Sequence, residues 1–365
     1  MGFDTVGFIG LGLIGGSIAK KLKANHPDVK IYATASHEST IIEAYREGII
    51  CNSKKLALED FADCDYIFLC APVQKNLEYL KALKPIIKEN CIITDVGSTK
   101  SEMHQRVIEL DMEKSFIGGH PMTGSEKTGI LNANAYLLEN AYYIITPTAV
   151  TTDAQIDEFR NFVLELGSIP MVLDYETHDY ATAAISHLPH MIAYSLVNLV
   201  AKIDTEEETM KSIAAGGFKD ITRIASSSPV MWQNICSSNS KQLINLLDLY
   251  MDELQMVRDM IRANDESEML SYFQSAKDYR DSITITKAKS TGSVFELYMD
   301  LPDEAGSIAS TVAILAEESI SIKNIGIIHN REFEDGVLRI EFYEDSARLT
   351  GEQLLITRGY KVYKR

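Results

Sequence analysis

Four short segments of the chain combine polar side chains that suit acid–base chemistry in a ligand cleft. They are Asp95–Lys100, Gly119–Glu126, Ser186–His190 and Gly217–Ala225. A hydrophobic core would not require polar residues at these places. His120 is the candidate general base, because a histidine near neutral pH can take the proton of a hydroxyl group while hydride leaves for a cofactor. The alternative interpretation is a loop histidine that caps a turn.

The segment that contains Arg223 supplies the candidate group for binding a substrate carboxylate. A guanidinium group matches a carboxylate in two parallel hydrogen bonds. Lys219 lies nearby in the sequence, and Asp220 is suited to hold the arginine in place. The alternative is that Arg223 forms a surface salt bridge or caps a helix.

His187 and His190 are three residues apart, so they share one face of a predicted helix. Pro189 lies between them and removes a backbone donor, which predicts a bend or a restart of that helix. We expect one of the two histidines to face the site, and the alternative is a pair of core or interface residues. No third ligand accompanies them at suitable spacing, so we predict no metal site.

A glycine-rich turn follows the predicted strand Val6–Ile9 and directly precedes a helical pattern. In this G-x-G-x-x-G arrangement Gly10 permits a tight turn, Gly12 lets a pyrophosphate approach the backbone, and Gly15 lets the helix pack on the strand. The N-terminus of the helix then offers free N–H groups to phosphates. The candidate cofactor-binding residues of this turn are Gly10, Gly12, Leu13, Ile14 and Gly15.

The end of the second predicted strand normally separates NAD from NADP, because an acidic residue there bonds the ribose hydroxyls and repels a 2′-phosphate. Residues Ile31–His37 contain neither an acid nor an arginine. The sequence therefore favours NAD and leaves NADP open, with Ser36 as the candidate contact and His37 beside it.

The elements that must position these residues form three regions. Between Thr5 and Leu173, short branched apolar runs alternate with helical patterns, which is typical of a parallel sheet wound on both faces by helices. We predict a doubly wound Rossmann domain over residues 1–174, in the α/β class. In such a sheet the loops at the carboxyl ends of the strands line the ligand crevice, so Ser98 and His120 should lie together there.

The second region, residues 175–289, is predicted to be all-helical. A helix from about Asp179 to Ile203 is apolar on more than one face, which predicts a homodimer that interleaves these helices. The alternative is that other helices of the same chain cover it. Its most apolar part, Met191–Ile203, is shorter than the ~18 residues that span a bilayer, so we expect no transmembrane segment.

The third region, residues 290–365, begins with a Ser-Thr-Gly-Ser linker, and the remainder is predicted to have the order β-α-β-β-α-β of a ferredoxin-like α+β unit. The predicted elements are a strand at Val294–Met299, a helix at Gly306–Glu318, strands at Ile320–Ile328 and Gly336–Tyr343, a short helix, and a strand at Tyr360–Tyr363.

Composition narrows the possible partners and the compartment. The 365 residues are 45% hydrophobic and carry a formal charge of −17, from 35 basic and 52 acidic side chains, so nucleic acid and anionic membranes are improbable partners. The five cysteines form no C-x-x-C pair and read as reduced thiols. With no signal-peptide pattern at the N-terminus, we expect a cytoplasmic protein.

Together the motifs H-P-M-x-G-S-E, S-H-L-P-H and F-K-D-x-T-R-I-A resemble those of the prephenate dehydrogenase family, which includes arogenate dehydrogenases. The resemblance covers almost the whole chain. It implies NAD-dependent oxidative decarboxylation of prephenate to 4-hydroxyphenylpyruvate in tyrosine biosynthesis, with arogenate as the alternative substrate. His120 matches the family's catalytic histidine, and Ser98 matches a partner that bonds this histidine and the substrate hydroxyl. Arg223 matches the carboxylate-binding arginine. The further candidates for substrate contact are Lys219, Asp220, His187, His190, Ser125 and Glu126.

The C-terminal region is similar to an ACT regulatory domain, which implies tyrosine as a feedback inhibitor. Its candidate effector-binding residues are Asp303, Ala305, Gly306 and Asn324. A dimerisation domain without a ligand is the alternative. Two other functions compete with the whole interpretation: a β-hydroxy acid dehydrogenase, which normally uses a lysine for proton transfer, and a non-catalytic sensor of dinucleotide and amino acid.

Overall fold

A computed structural model describes residues 4–124, 127–283, 295–302, 304–328 and 336–363. The chain divides into two compact units, Met1–Phe273 and Gln274–Arg365.

The first unit begins with a Rossmann-like sheet of seven strands: β1 (Thr5–Ile9), β2 (Lys30–Thr34), β3 (Tyr66–Leu69), β4 (Ile92–Asp95), β5 (Ile117–Pro121), β6 (Tyr142–Pro147) and β7 (Ile169–Val172). Four parallel strands lie side by side in the order β2-β1-β3-β4. A parallel bridge between Ile93 of β4 and Phe116, directly before β5, joins them to three further strands in the order β5-β6-β7. Strand β6 runs antiparallel to β5. The predicted parallel sheet is therefore found in β2-β1-β3-β4, and the prediction was wrong at this edge. The described residues between β5 and β6 contain one short 3₁₀ turn, Ile130–Asn132, and no crossover α-helix of the kind that joins parallel strands.

Helices cover both faces of the sheet: α1 (Leu13–Asn25), α2 (Glu38–Arg46), α3 (Val73–Leu83), α4 (Ser101–Glu109) and α5 (Asp153–Glu165). Alternate residues of a strand point to opposite faces. On β3, Phe68 accordingly joins one hydrophobic cluster with Phe162 of α5, while Ile67 joins another with Met103 of α4. All four β3 residues are buried, which explains why this strand reads as a continuous apolar run.

The rest of the first unit is helical and extends into α12. The helices are α6 (Tyr175–Thr182), α7 (Leu188–Ile203), α8 (Thr209–Ile213), α9 (Gly216–Thr222), α10 (Pro229–Ser238), α11 (Ser240–Ala263) and α12 (Glu266–Ser282). A π-helical turn, Ala183–His187, joins α6 to α7, so that one helix runs from Tyr175 to Ile203.

This 29-residue helix is long and apolar enough to cross a membrane by length and composition alone. The predicted apolar stretch Met191–Ile203 is the second part of this helix, which begins at Tyr175. Only 17% of its most apolar window is buried within the chain. Ile185, Leu199 and Ile203 are among its exposed apolar side chains, an exposed apolar surface of the kind that marks interaction sites.

The second unit contains a four-stranded antiparallel sheet in the order β11-β8-β10-β9. Its elements are β8 (Phe295–Leu301), α13 (Ser307–Glu317), β9 (Ile322–Ile328), β10 (Gly336–Phe342), α14 (Asp345–Thr357) and β11 (Val362–Tyr363). Leu315 of α13 and Leu355 of α14 pack on Leu297 and Ile340 of the sheet. The order of elements is the predicted one, and α14 is longer than the short helix expected there. The predicted linker lies outside the described residues.

Candidate active site

The glycine turn between β1 and α1 has the shape that a dinucleotide requires. Gly10 has φ +95°, and a Cβ atom there would lie 2.7 Å from the carbonyl carbon of Cys70. A Cβ on Gly15 would lie 2.7 Å from the oxygen of Gly10. By contrast, nothing lies within 4 Å of the position of a Cβ on Gly12. The first and third glycines are therefore needed for packing, whereas Gly12 borders open space.

Helix α1 begins directly after Gly12, and no side chain caps its N-terminus. Leu13 and Ile14 form its first turn. The free N–H groups of this turn fit the pyrophosphate of a dinucleotide. The N–H of Gly10 donates to Thr34 at the end of β2, at 2.8 Å, so the turn lies beside that strand end. Ser36 follows two residues later and is exposed.

A buried ion pair lies at the carboxyl edge of the sheet. Asp95 ends β4, and its carboxylate pairs with the ammonium group of Lys100; both side chains are fully buried. Asp95 also accepts hydrogen bonds from the backbone N–H of Gly97, at 2.9 Å, and of Gly119, at 3.4 Å. This carboxylate therefore ties the end of β4 to β5 immediately before His120. Ser98 lies half-buried in the loop between Gly97 and Lys100.

His120 lies in β5 rather than in a loop, so the expected loop position was wrong. The residue is half-buried. Its Nδ1 lies 2.8 Å from Nε2 of His178, and no hydrogen bond joins it to Ser98 within the part of the chain that the structure describes. Burial lowers the pKa of His120 well below its usual value, and the nearby charge of Lys100 lowers it further. The imidazole is therefore neutral and able to accept a proton at physiological pH.

His178 and its neighbour Asp179 are both fully buried on α6. Nδ1 of His178 lies 2.8 Å from Oδ1 of Asp179. The Asp179 carboxylate also accepts the backbone N–H groups of Lys100 and Ser101, at 2.8 and 2.7 Å, and so caps the N-terminus of α4. One polar chain thus connects α4, α6 and the histidine of β5.

His187 and His190 lie on either side of the junction between the π-helical turn and α7. His187 is buried, and Nδ2 of Asn239 lies 3.3 Å from its Nδ1. Burial lowers the pKa of His187 to about 4. His190 donates from Nδ1 to the oxygen of Ser186 at 2.9 Å and stacks on Trp232, with the ring centroids 3.8 Å apart. Trp232, which sequence analysis leaves out of the site, thus packs against a candidate site residue.

Pro189 explains the local helix geometry. Because proline has no N–H, the α-helical hydrogen-bond ladder is interrupted at this position. The N–H of Leu188 bonds instead to the oxygen of Ala183, five residues earlier, as in a π-helix. The helix continues without a break, and the wider turn ends at His187. Such π-turns are frequent at functional sites.

Arg223 follows α9, which carries Lys219 and Asp220; all three side chains are exposed. The charge of Arg223 contributes to a lowered pKa of His190, after the larger effect of burial. The segment that carries Arg223 packs near α7, where the hydroxyl of Tyr194 donates to the oxygen of Ser227 at 3.0 Å.

Sequence analysis missed His178, Asp179 and Asn239. The available signal was a histidine–aspartate pair that interrupts the apolar pattern of a predicted helix. Asn239, from the junction of α10 and α11, donates at 2.8 Å to the backbone oxygen of Asp179. Ser125 and Glu126 lie outside the described residues.

The predicted effector residues belong to the second unit. Gly306 has φ +95° and directly precedes α13, with Ala305 before it. An apolar surface groove of about 650 Å³ runs along Gly306 and the exposed start of α13. Asn324 is exposed on β9. Asp303 lies outside the described residues.

A Rossmann-like sheet with an open glycine turn and a neutral histidine at its carboxyl edge defines a nucleotide-dependent dehydrogenase. The family profiles "Prephenate dehydrogenase, nucleotide-binding domain" and "Prephenate dehydrogenase, dimerization domain" match residues 18–171 and 174–275. The prephenate dehydrogenase of Bacillus subtilis is 37% identical over 98% of this chain and 96% of its own length. That of Lactococcus lactis is 35% identical over 92% of each.

Solved structures agree with these matches. Prephenate dehydrogenase from Aquifex aeolicus, in complex with hydroxyphenyl propionate and NAD+, has a TM-score of 0.73 at 31% identity and covers 78% of this chain and 99% of its own. Synechocystis arogenate dehydrogenase has a TM-score of 0.69 at 29% identity and covers 76% of this chain and 99% of its own. The chain belongs to the prephenate dehydrogenase family and is an oxidoreductase.

Proposed function

We propose that the chain catalyses the NAD-dependent oxidative decarboxylation of prephenate to 4-hydroxyphenylpyruvate in tyrosine biosynthesis. The observation that carries this proposal is a neutral, half-buried His120 on the strand next to Asp95, at the sheet edge that also bears the glycine turn. The near full-length similarity to the Bacillus subtilis prephenate dehydrogenase supports the choice of substrate.

The residues at the glycine turn fit NAD. Gly12 leaves room for the pyrophosphate, and the first turn of α1 offers its N–H groups. Ser36 lies where a ribose hydroxyl group would need a polar partner. When bound, NAD accepts the hydride from the ring carbon that bears the substrate hydroxyl.

His120 takes the proton of that hydroxyl group as the carbon is oxidised. Loss of carbon dioxide from the quaternary carbon on the opposite side of the ring then leaves its bonding electrons to form the aromatic ring. The proton on His120 returns to the phenolate oxygen, so the histidine ends the cycle neutral. General-base assistance of this kind is worth about 10²- to 10⁴-fold in rate. Aromatisation makes the step effectively irreversible.

Arg223 binds a substrate carboxylate and fixes the orientation of the ring against His120. The contribution of Arg223, after burial, to the lowered pKa of His190 supports a place for the guanidinium group on that side of the site. Asp220 holds the arginine in place, Lys219 adds a second positive charge near the substrate carboxylate, and His187 forms a polar side of the substrate site. Ser98 contacts the substrate hydroxyl, and Ser125 and Glu126 belong to the same substrate site.

The direct test is oxidation of prephenate by the purified chain, followed by the absorbance of the reduced nicotinamide. We expect turnover with prephenate and NAD, and slower turnover with NADP. Arogenate is the matched alternative substrate, because a structural relative is an arogenate dehydrogenase. Faster turnover of arogenate would change the substrate assigned here, and no turnover of either compound would refute the proposal.

We further propose that residues 290–365 form an ACT domain that binds tyrosine and reduces activity. The β-α-β-β-α-β order and the apolar groove at Gly306 support this assignment. A chain truncated after residue 289 should keep its activity and lose its response to tyrosine. If the truncated chain is still inhibited by tyrosine, the effector binds at the active site instead.

The remaining assignments concern assembly. We propose domains at 1–174, 175–289 and 290–365, and a cytoplasmic homodimer in which the apolar face of α7 meets a second copy. The match to a dimerisation domain and the exposure of Leu199 support this. Sedimentation should give a dimer, and Leu199→Lys should shift it toward monomer. A monomeric parent chain would refute the proposed assembly.

A further inference from the structure

The polar chain that ends on His120 begins at Asp179, whose protonation state is fixed by its neighbours. Backbone N–H groups of Lys100 and Ser101 donate to its two carboxylate oxygens at 2.8 and 2.7 Å. Burial alone would raise the pKa of Asp179, but hydrogen bonds from His178 and Ser101 hold it below its usual value. Asp179 is therefore a carboxylate, which can only accept hydrogen bonds.

Because Asp179 only accepts, Nδ1 of His178 must carry the proton across their 2.8 Å contact. A neutral imidazole has one N–H, so Nε2 of His178 is then an acceptor. That nitrogen lies 2.8 Å from Nδ1 of His120. The contact is satisfied only when Nδ1 of His120 donates. The neutral His120 then has no proton on Nε2.

From this geometry we propose that His178 and Asp179 are positioning residues, which hold His120 in the tautomer whose Nε2 can accept the substrate proton. The inference rests on the proposed role of His120 as general base. Without the relay, His120 could carry its proton on Nε2, where it would face the substrate hydroxyl as a donor and could not remove a proton.

The elements of the fold explain why the relay is rigid. His178 and Asp179 are fully buried, and both lie on α6. Asp179 caps α4, whose own N-cap residue, Lys100, provides no side-chain cap. Asn239 donates to the backbone oxygen of Asp179 from a third element. A purely structural reading, in which Asp179 only caps α4, predicts the same stability but no preferred tautomer of His120.

The tautomer can be measured directly in the full-length chain. Ring-nitrogen NMR of protein labelled with ¹⁵N-histidine distinguishes a protonated Nδ1 from a protonated Nε2, and the spectrum of His120→Asn identifies the signals of His120. We expect a protonated Nδ1 and an unprotonated Nε2 in the unsubstituted chain. A His120 that carries its proton on Nε2 would overturn the proposal.

Kinetics of two further variants separate positioning from folding. His178→Phe removes the acceptor for His120 and should lower kcat by about 10²- to 10⁴-fold with little change in KM. Asp174→Ala is the matched control: the Asp174 side chain caps the same helix through Thr177, and its only bond to the relay is from its backbone oxygen to the N–H of His178, which alanine keeps, so kcat should stay unchanged. Equal losses of kcat in both variants would show that α6 acts only through stability.

The outcomes also separate this inference from the proposed function. Turnover of prephenate by a chain whose His120 carries its proton on Nε2 would refute the relay alone. The expected tautomer in a chain that oxidises neither prephenate nor arogenate would refute the proposed function and leave the relay intact. If His178→Phe does not fold, the tautomer of the unsubstituted chain still decides the proposal.

Discussion

Alanine substitutions at two glycines of the same turn should have different effects: Gly10→Ala should lower stability, and Gly12→Ala should weaken NAD binding. Gly10 has φ +95°, where a side chain costs roughly 1–2 kcal/mol. The new methyl group would also lie 2.7 Å from the carbonyl carbon of Cys70, an overlap worth about 1–3 kcal/mol. Gly10→Ala should therefore lower the free energy of unfolding by about 2–5 kcal/mol.

The Cβ atom introduced by Gly12→Ala would have no atom within 4 Å, and the backbone of Gly12 is extended, a conformation that alanine can adopt. Its stability should stay within about 1 kcal/mol of the parent chain. The methyl group would project into the space that the pyrophosphate approaches, so NAD binding should weaken at least about tenfold, or 1.4 kcal/mol.

Denaturant unfolding and calorimetric titration with NAD measure the two effects separately. Gly48→Ala is a matched control, because Gly48 also has positive φ, +71°, but nothing crowds its Cβ position. It should cost only the roughly 1–2 kcal/mol of backbone strain. The reasoning is refuted if Gly12→Ala binds NAD as tightly as the parent, or if Gly10→Ala is no less stable than Gly48→Ala.

Three further predictions concern the site and its supports. In steady-state assays, His120→Asn should lower kcat by about 10²- to 10⁴-fold with little change in KM, whereas Arg223→Ala should mainly raise KM; the reverse pattern would contradict the assigned roles. Lys100→Met leaves the Asp95 carboxylate buried without a cation and should cost about 3–5 kcal/mol in denaturant unfolding, part of which Asp95→Asn in the same chain should restore. Burial, and then the charge of Lys100, lowers the pKa of His104 to about 4. Because this histidine takes up its proton near pH 6.5 in the unfolded chain, it should lower the free energy of unfolding by up to about 3 kcal/mol as the pH falls from 6.5 to 4. A His104→Gln variant whose melting temperature falls as steeply as the parent's over this range would contradict the prediction.

The sequence predicted those features that depend on local spacing. The glycine turn is recognisable because a strand, three glycines and a helix must follow one another within a few residues. Buried strands are continuous apolar runs in sequence. The positions of β1 to β4 and β6 were therefore predicted from the runs Val6–Ile9, Ile31–Ala33, Tyr66–Cys70, Ile92–Val96 and Tyr142–Ile145. The sequence pattern did not reveal β5 and β7, because glycine and proline in Ile117–Pro121 and Ile169–Val172 lack the side chains that mark a strand.

The environment of His120 was decided by tertiary structure alone. Its partner His178 is 58 residues away in the sequence, and Asp179 caps a helix that begins 78 residues earlier. A sequence shows that a histidine and an aspartate are present, but hydrogen-bond partners depend on where separate elements pack. The local motif therefore identifies His120 as the residue that can perform the chemistry, whereas the tautomer in which it acts depends on the packing of α4, α6 and β5.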